Sequence, residues 1–320
     1  MTTTNHPDKP DSFRSRLQWY KWGLAAALVI IAATALYLLL PDLTVPSARE
    51  LVRTRMYVPL QRPVQLMMAG NVTCSLTGDS AIHTKQIGDI TLYNTTNGIA
   101  YTGTSRSSYM NTLLVPAAQS YRITLPDSSV IWLNAASRIR FPFTFSGNKR
   151  EVYMEGEAYY RIMRNDRQPF IIHTPNTTVE VTGASFNINA YDAEWVRVSD
   201  IEGAVRVTGT TDTAVTLKPG MEAIYGDYSG IRTDSFKAEG TASWLKSKTT
   251  FSQRRLRDVK PILQRWFGVQ VILDEPELGN YQVSGPLEKG GLMAFLSHLE
   301  ATTPLRYYFV DNELHLHMKQ

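Results

Sequence analysis

Eighteen consecutive residues without a charge, Gly23–Leu40 (GLAAALVIIAATALYLLL), constrain this chain more than any other stretch. At about 1.5 Å of rise per residue, a helix of that length approaches the ~30 Å hydrocarbon core of a bilayer. No polar face exists anywhere around it, which disfavours a helix lying half-buried on a water-soluble core. Arg14, Arg16 and Lys21 come just before the run, and Trp19, Tyr20 and Trp22 are placed as an interfacial aromatic belt. The positive-inside rule then puts residues 1–22 in the cytoplasm and everything beyond Pro41 outside it. A cleaved signal peptide, with Val45 and Ser47 before the cut, is the competing reading. The apolar run is longer than the usual core of about 7–15 residues, and so is the tail ahead of it.

The remainder reads as water-soluble. Mean hydropathy is -0.21, which excludes a multi-span transporter, and 43% hydrophobic with 19% charged residues suits packed structure rather than disorder. With a single cysteine, Cys74, the chain cannot form an internal disulfide, so stability has to come from its cores. The net charge of +4 raises the possibility of nucleic-acid binding, but the excess is local. Lys246, Lys248, Arg254, Arg255, Arg257, Lys260 and Arg265 face only Asp258 between positions 242 and 265. Such a patch is a solvated face or a docking surface for an acidic partner, and no direct nucleic-acid partner is expected.

Residues 41–63, with four prolines and little periodicity, read as a juxtamembrane linker. From 64 to 240 the pattern has period two. In EVYMEGEAYYRIM, Val152, Met154, Ala158, Tyr160 and Ile162 share one side, and Glu151, Tyr153, Glu155, Glu157 and Arg161 the other: one strand, or two joined at Gly156. Val179 and Val181 fall out of phase with Phe186 and Ile188 across Gly183, as at a turn or bulge. Many short strands with Gly, Pro, Asn and Asp punctuation predict an all-β domain, sandwich or solenoid-like. From 241 to 320 the period lengthens. Leu256, Val259, Leu263, Trp266 and Phe267 mark a helix stopped at Gly268, with Pro261 predicting a kink or a late start; Leu292, Phe295, Leu296 and Leu299 mark a second helix ending near Pro304. With the intervening strands the order is β-α-β-β-α-β-β, a small α+β domain with helices on one sheet face. The expected architecture is a single transmembrane helix, an all-β domain and a small α+β domain, bounded as 1–22, 23–40, 41–63, 64–240 and 241–320.

The run YRITLPDSSVIWLNAASRIRFPFTFSGNKREVYMEGEAYYRIMRNDRQPFIIHTPNTTVEVTGASFNINAY, followed by IEGAVRV and LKPG, resembles the FecR-type anti-sigma factor (sigma regulator) family, especially its Bacteroidetes branch. The tail from Trp244, with ILQRWFGVQVILDEPEL, is similar to the C-terminal domain of those proteins, which looks like the short N-terminal domain of secretins and TonB-dependent transporters. Together these stretches cover roughly 64–320. The resemblance implies a relay in which an outer-membrane TonB-dependent transporter signals through the periplasm. A FecR-like protein in the cytoplasmic membrane then controls an extracytoplasmic-function sigma factor. Two departures stand out. Family members usually carry a helical sigma-binding domain of several tens of residues ahead of the span, where only residues 1–22 stand here. Ser128 occupies the last position of a turn that is LPDG in the family, and a type I turn tolerates it.

No enzyme is expected. Glu155 and Glu157, two apart on one strand, are the only pair resembling a glycosidase couple, and alternating glutamates on a solvent face are the ordinary arrangement. His315 and His317 share a face of the last strand without a third ligand at suitable spacing, so neither a metal nor a cofactor is expected. Partner contact is assigned to Phe13, Leu17 and Trp19 on the sigma side, and to Arg254, Arg255, Arg257, Tyr307, Phe309, His315 and His317 on the transporter side, where an exposed sheet edge would accept a strand. The alternatives are an anchored adaptor lacking sigma binding and an anchored glycan-binding β-protein.

Overall fold

The computed structural model describes residues 62–319 apart from 69–71, 77–82, 96–97, 106–108, 193, 212 and 237–241. The apolar run at 23–40 lies outside the described residues. Among those described, no helix is long and apolar enough to cross a membrane.

Two large sheets share one core. The first runs, in spatial order, Val72–Ser75, Gln65–Met68, Met110–Val115, Ser137–Pro142, the first half of Arg150–Ile162, Phe170–His173, Thr177–Val181, Val205–Gly209 and Ala214–Leu217. The second runs His83–Ile87, Ile90–Thr95, Gly98–Thr102, Tyr121–Thr124, Val130–Leu133, the second half of Arg150–Ile162, Ala184–Asp192, Trp195–Gly203, Met221–Gly226 and Gly230–Ser235. Both orders follow the sequence almost monotonically, so the chain winds back and forth between two layers as it advances. Sandwich and solenoid describe the same object here.

Alternation explains the core. Val152, Met154, Ala158, Tyr160 and Ile162 are all buried in the one hydrophobic cluster, as the period-two pattern predicts. Arg150–Ile162 is a single strand that crosses from the first sheet to the second at Gly156, whose φ is +95°. Its even-numbered residues keep facing the shared core on both sides of the crossing. Glu155 and Glu157 therefore project from opposite outer faces, which corrects their placement on one face. Gly183 separates Thr177–Val181 in the first sheet from Ala184–Asp192 in the second, which accounts for the phase change there.

Several polar residues are buried, Arg150 and Asp200 among them. Arg150, 1% exposed, pairs with Asp127, donates to the carbonyls of Gln168 (2.8 Å) and Met163 (3.1 Å), and lies over the Phe170 ring. Asp127 also accepts from the Ser129 amide at 2.9 Å, closing the LPDS turn. Ser128 in that turn adopts φ +66°, a left-handed conformation that favours glycine. The type I reading of this position is thus corrected: Ser128 tolerates strain that glycine would avoid.

Asp200 falls on the core-facing phase of its strand with Val196 and Val198, and neither of its carboxylate oxygens meets a partner at hydrogen-bonding geometry. Burial pushes its pKa from 3.8 up to about 6, with the nearby Glu202 amide offsetting part of the effect. A carboxyl whose folded pKa is raised stabilises the fold when protonated; the contribution is complete below pH ~4 and lost as pH rises through about 6. Asp200→Asn is accordingly expected to raise stability by about 1–2 kcal/mol at pH 7.5, allowing for solvent screening, and to leave it unchanged at pH 3.5. Urea unfolding at the two pH values checks this.

The C-terminal segment has its own core. Its order is Lys248–Arg255, α1 (Leu256–Phe267), Gln270–Leu273, Gln282–Glu288, α2 (Leu292–Thr302), Leu305–Val310 and Glu313–Met318. The five strands form two sheets rather than one: Lys248–Arg255 pairs with Gln282–Glu288, while Glu313–Met318 sits between Gln270–Leu273 and Leu305–Val310. α1 buries Leu256, Val259, Leu263, Trp266 and Phe267, and α2 buries Leu292, Phe295, Leu296 and Leu299, the residues that helical spacing picks out. Gly268, at φ +67°, ends α1 and donates its amide to the Gln264 carbonyl at 2.9 Å. α1 begins five residues before Pro261, so the late start does not occur.

Candidate functional site

Everything described belongs to one compact unit, and its two cores meet along a polar seam that encloses a crevice of about 830 Å³. The floor is the outer face of the second sheet. Register places Glu157, Asn189, Arg197, Ile224 and Arg232 in one row across five strands, with Tyr159, Asn187, Ser199 and Glu222 in the next. The roof is α1, through Arg257, Asp258, Pro261, Ile262, Arg265 and Trp266; Trp195, Phe236, Thr249 and Arg254 form the walls.

Glu157 anchors the closed end. It is buried, accepting from Asn134 Nδ2 at 2.8 Å and Asn187 Nδ2 at 3.1 Å. Asn187 Oδ1 in turn accepts from the Trp244 indole N–H at 3.3 Å, tying the Ser243–Lys246 turn to the sheet. Burial pushes the Glu157 carboxyl up, and the two asparagines and Arg265 pull it part of the way back. Arg265 lies 3.9 Å above the Tyr191 ring, its own pKa lowered by burial, and its carbonyl accepts the Ala118 amide at 2.7 Å. Trp132 and Tyr159 leave the second sheet to pack against the C-terminal core, their rings 5.6 Å apart. The seam therefore combines an aromatic contact with a chain of polar groups running from Asn134 to Trp244.

The residues expected to meet partners do not share one surface. Arg254 and Arg257 line the crevice; Arg255, between them, does not. The cause is a bulge between Phe251 and Arg254, where Gln253 takes φ +49° and donates its amide to Ser284 Oγ at 2.9 Å. The extra residue turns Arg254 onto the side of Thr249. Tyr307 and Phe309 are buried and serve the C-terminal core. His315 and His317 lie on the central strand of the three-stranded sheet, not on an edge, because Glu313–Met318 inserts between its two neighbours. His315 bonds Asp274 at 2.7 Å and stacks on Tyr308, which also donates to Asp274. Among the described residues no group of three or more His, Cys, Asp or Glu is placed to hold a metal ion. Phe13, Leu17 and Trp19 lie outside the described residues.

Sequence reasoning did not single out Glu157 as an interdomain residue, nor Asn134, Asn187 or Trp244. EGEAY and WLNA carry the family resemblance, and Glu157 a weak carboxylate pairing, but nothing local announces that another segment will cover a polar sheet face.

A wound β-sandwich thus carries an α+β segment on its polar outer face. A family model described as FecR protein matches residues 111–206, and a second, described as FecR, C-terminal, matches 248–316. Two crystal structures of a candidate anti-sigma factor from Parabacteroides distasonis ATCC 8503, at 1.65 and 2.50 Å, share the fold. Each is 29% identical with a TM-score of 0.59; they cover 65% and 66% of this chain and 99% and 100% of their own. The comparison with curated proteins gave no match. The chain belongs to the FecR-type anti-sigma factor family.

Proposed function

We propose that this chain is a single-pass regulator of the cytoplasmic membrane, carrying a signal from the periplasm to a cytoplasmic sigma factor by binding alone. The observation that carries the reading is the charge-free run Gly23–Leu40 behind Arg14, Arg16 and Lys21, in a chain of this family. On this reading the β-sandwich and the α+β segment are periplasmic. The signalling domain of an outer-membrane TonB-dependent transporter engages the α+β segment, where an added strand would supply backbone hydrogen bonds and the crevice side chains selectivity. Residues 1–22 meet an extracytoplasmic-function sigma factor through Phe13, Leu17 and Trp19.

Two measurements test this. Alkaline phosphatase fused after Gln320 is expected to be active, and an inactive fusion with a fluorescent cytosolic counterpart would overturn the topology. Full-length protein is expected to retain the sigma factor, and Phe13→Ala, Leu17→Ala and Trp19→Ala combined to lower retention by about tenfold or more. Undiminished retention in the triple variant removes the tail from the interface.

A further inference from the structure

We propose that the crevice beneath α1 is a docking site for an extended acidic segment of a protein partner, gripped by Arg232, Arg254 and Arg257. The inference deepens the regulator reading and rests on it. Three guanidinium groups reach this space from three elements: Arg232 from the outermost strand of the second sheet, Arg254 from the bulged strand, and Arg257 from the first turn of α1. None of the three has a carboxylate or hydrogen-bond partner among the described residues.

The acids lining the same space are mostly committed. Glu222 takes Arg197 at 3.7 Å and Ser199 Oγ at 3.2 Å. Glu157 is enclosed by its two asparagines, and Asp192 accepts the Glu194 amide at 2.9 Å. Asp192, which keeps its charge, and Asp258 are left to oppose the three arginines, a surplus of one positive charge. All three arginines are exposed, and a guanidinium fork matches a carboxylate in two parallel hydrogen bonds.

Shape favours an extended chain as the occupant. The floor row from Glu157 to Arg232 crosses five strands, a span of about 19 Å at ~4.8 Å per strand, which six or so extended residues would fill. Beside it stands Trp195, 53% exposed, an aromatic face for the apolar side chains that would alternate with the acidic ones. The chemistry that fits is thus a strand-like peptide with acidic residues at every second position.

The test uses the full-length chain and a fluorescein-labelled octapeptide alternating Glu with Val and Phe, followed by fluorescence anisotropy. Saturable binding is expected, absent for the same peptide with Gln at every Glu. Arg232→Gln, Arg254→Gln and Arg257→Gln are each expected to weaken it about threefold, and the three together at least tenfold. Arg255→Gln, outside the crevice, is expected to leave it unchanged. Equal weakening by Arg255→Gln would reduce the effect to general charge and overturn the site. Tighter binding of an oligothymidylate than of the peptide would overturn the class of ligand. Peptide that fails to bind protein still holding its sigma factor overturns the crevice inference alone. Binding that behaves as expected in protein unable to retain a sigma factor leaves the crevice standing and sinks the relay.

Discussion

Gly156→Val is expected to cost about 4 kcal/mol or more and to leave little folded protein at 37 °C. Two effects add. The φ of +95° lies where a β-branched side chain is heavily strained, and a Cβ built there would sit 2.4 Å from Ser137 Oγ and 2.8 Å from its Cα. Ser137 cannot withdraw, because its hydroxyl accepts the Glu157 amide at 2.9 Å. Gly147 provides the control: at φ +77° with open space around it, alanine should cost only about 1 kcal/mol of backbone strain. Urea midpoints for Gly147→Ala, Gly156→Ala and Gly156→Val check the ranking, and near-equal costs for the two alanines would show that the Ser137 contact is unimportant.

Glu157→Ala is expected to destabilise the chain by about 3 kcal/mol and to loosen the C-terminal segment before the sandwich unfolds. It strips the acceptor from the buried amides of Asn134 and Asn187, leaving two donors without their partner. It also removes the charge opposite Arg265. Glu157→Gln should be milder, at about 1 kcal/mol, since one acceptor oxygen stays in place. The sign of the pH effect follows from the raised pKa: burial makes the ionised form the costly one, so the advantage of wild type over Glu157→Gln should grow as pH falls toward 4. Protease cleavage within Ser243–Lys246, expected to accelerate in Glu157→Ala at concentrations of urea that leave the sandwich intact, reads the loosening directly.

How far these arguments were legible beforehand depends on the residue. Val152, Met154, Ala158, Tyr160 and Ile162 declare their side through alternation, and Leu256, Val259 and Leu263 theirs through helical spacing, because burial of a regular element imposes a period. The β-α-β-β-α-β-β order could be read for the same reason. Periodicity does not say which sheet a strand joins, so the placement of Glu155 and Glu157 on one surface failed at the crossing. Nor does it show what covers an outer face, and Glu157, Asn187 and Trp244 meet only through long-range packing. An exposed sheet edge is expected at His315 and His317, whereas a parallel pairing with Gln270–Leu273 sets their strand in the middle. The separation of Arg254 from Arg255 depends on one bulge, which no pattern of charges reveals.

The crossing strand also decides how the molecule bears load. Because Arg150–Ile162 is stitched into both layers and carries Glu157 beneath α1, tension applied to the C-terminal segment reaches a backbone held from two sides. Among the described residues the seam is held by fewer hydrogen bonds than either sheet. A pull therefore lifts the cap from the post while the post stays whole.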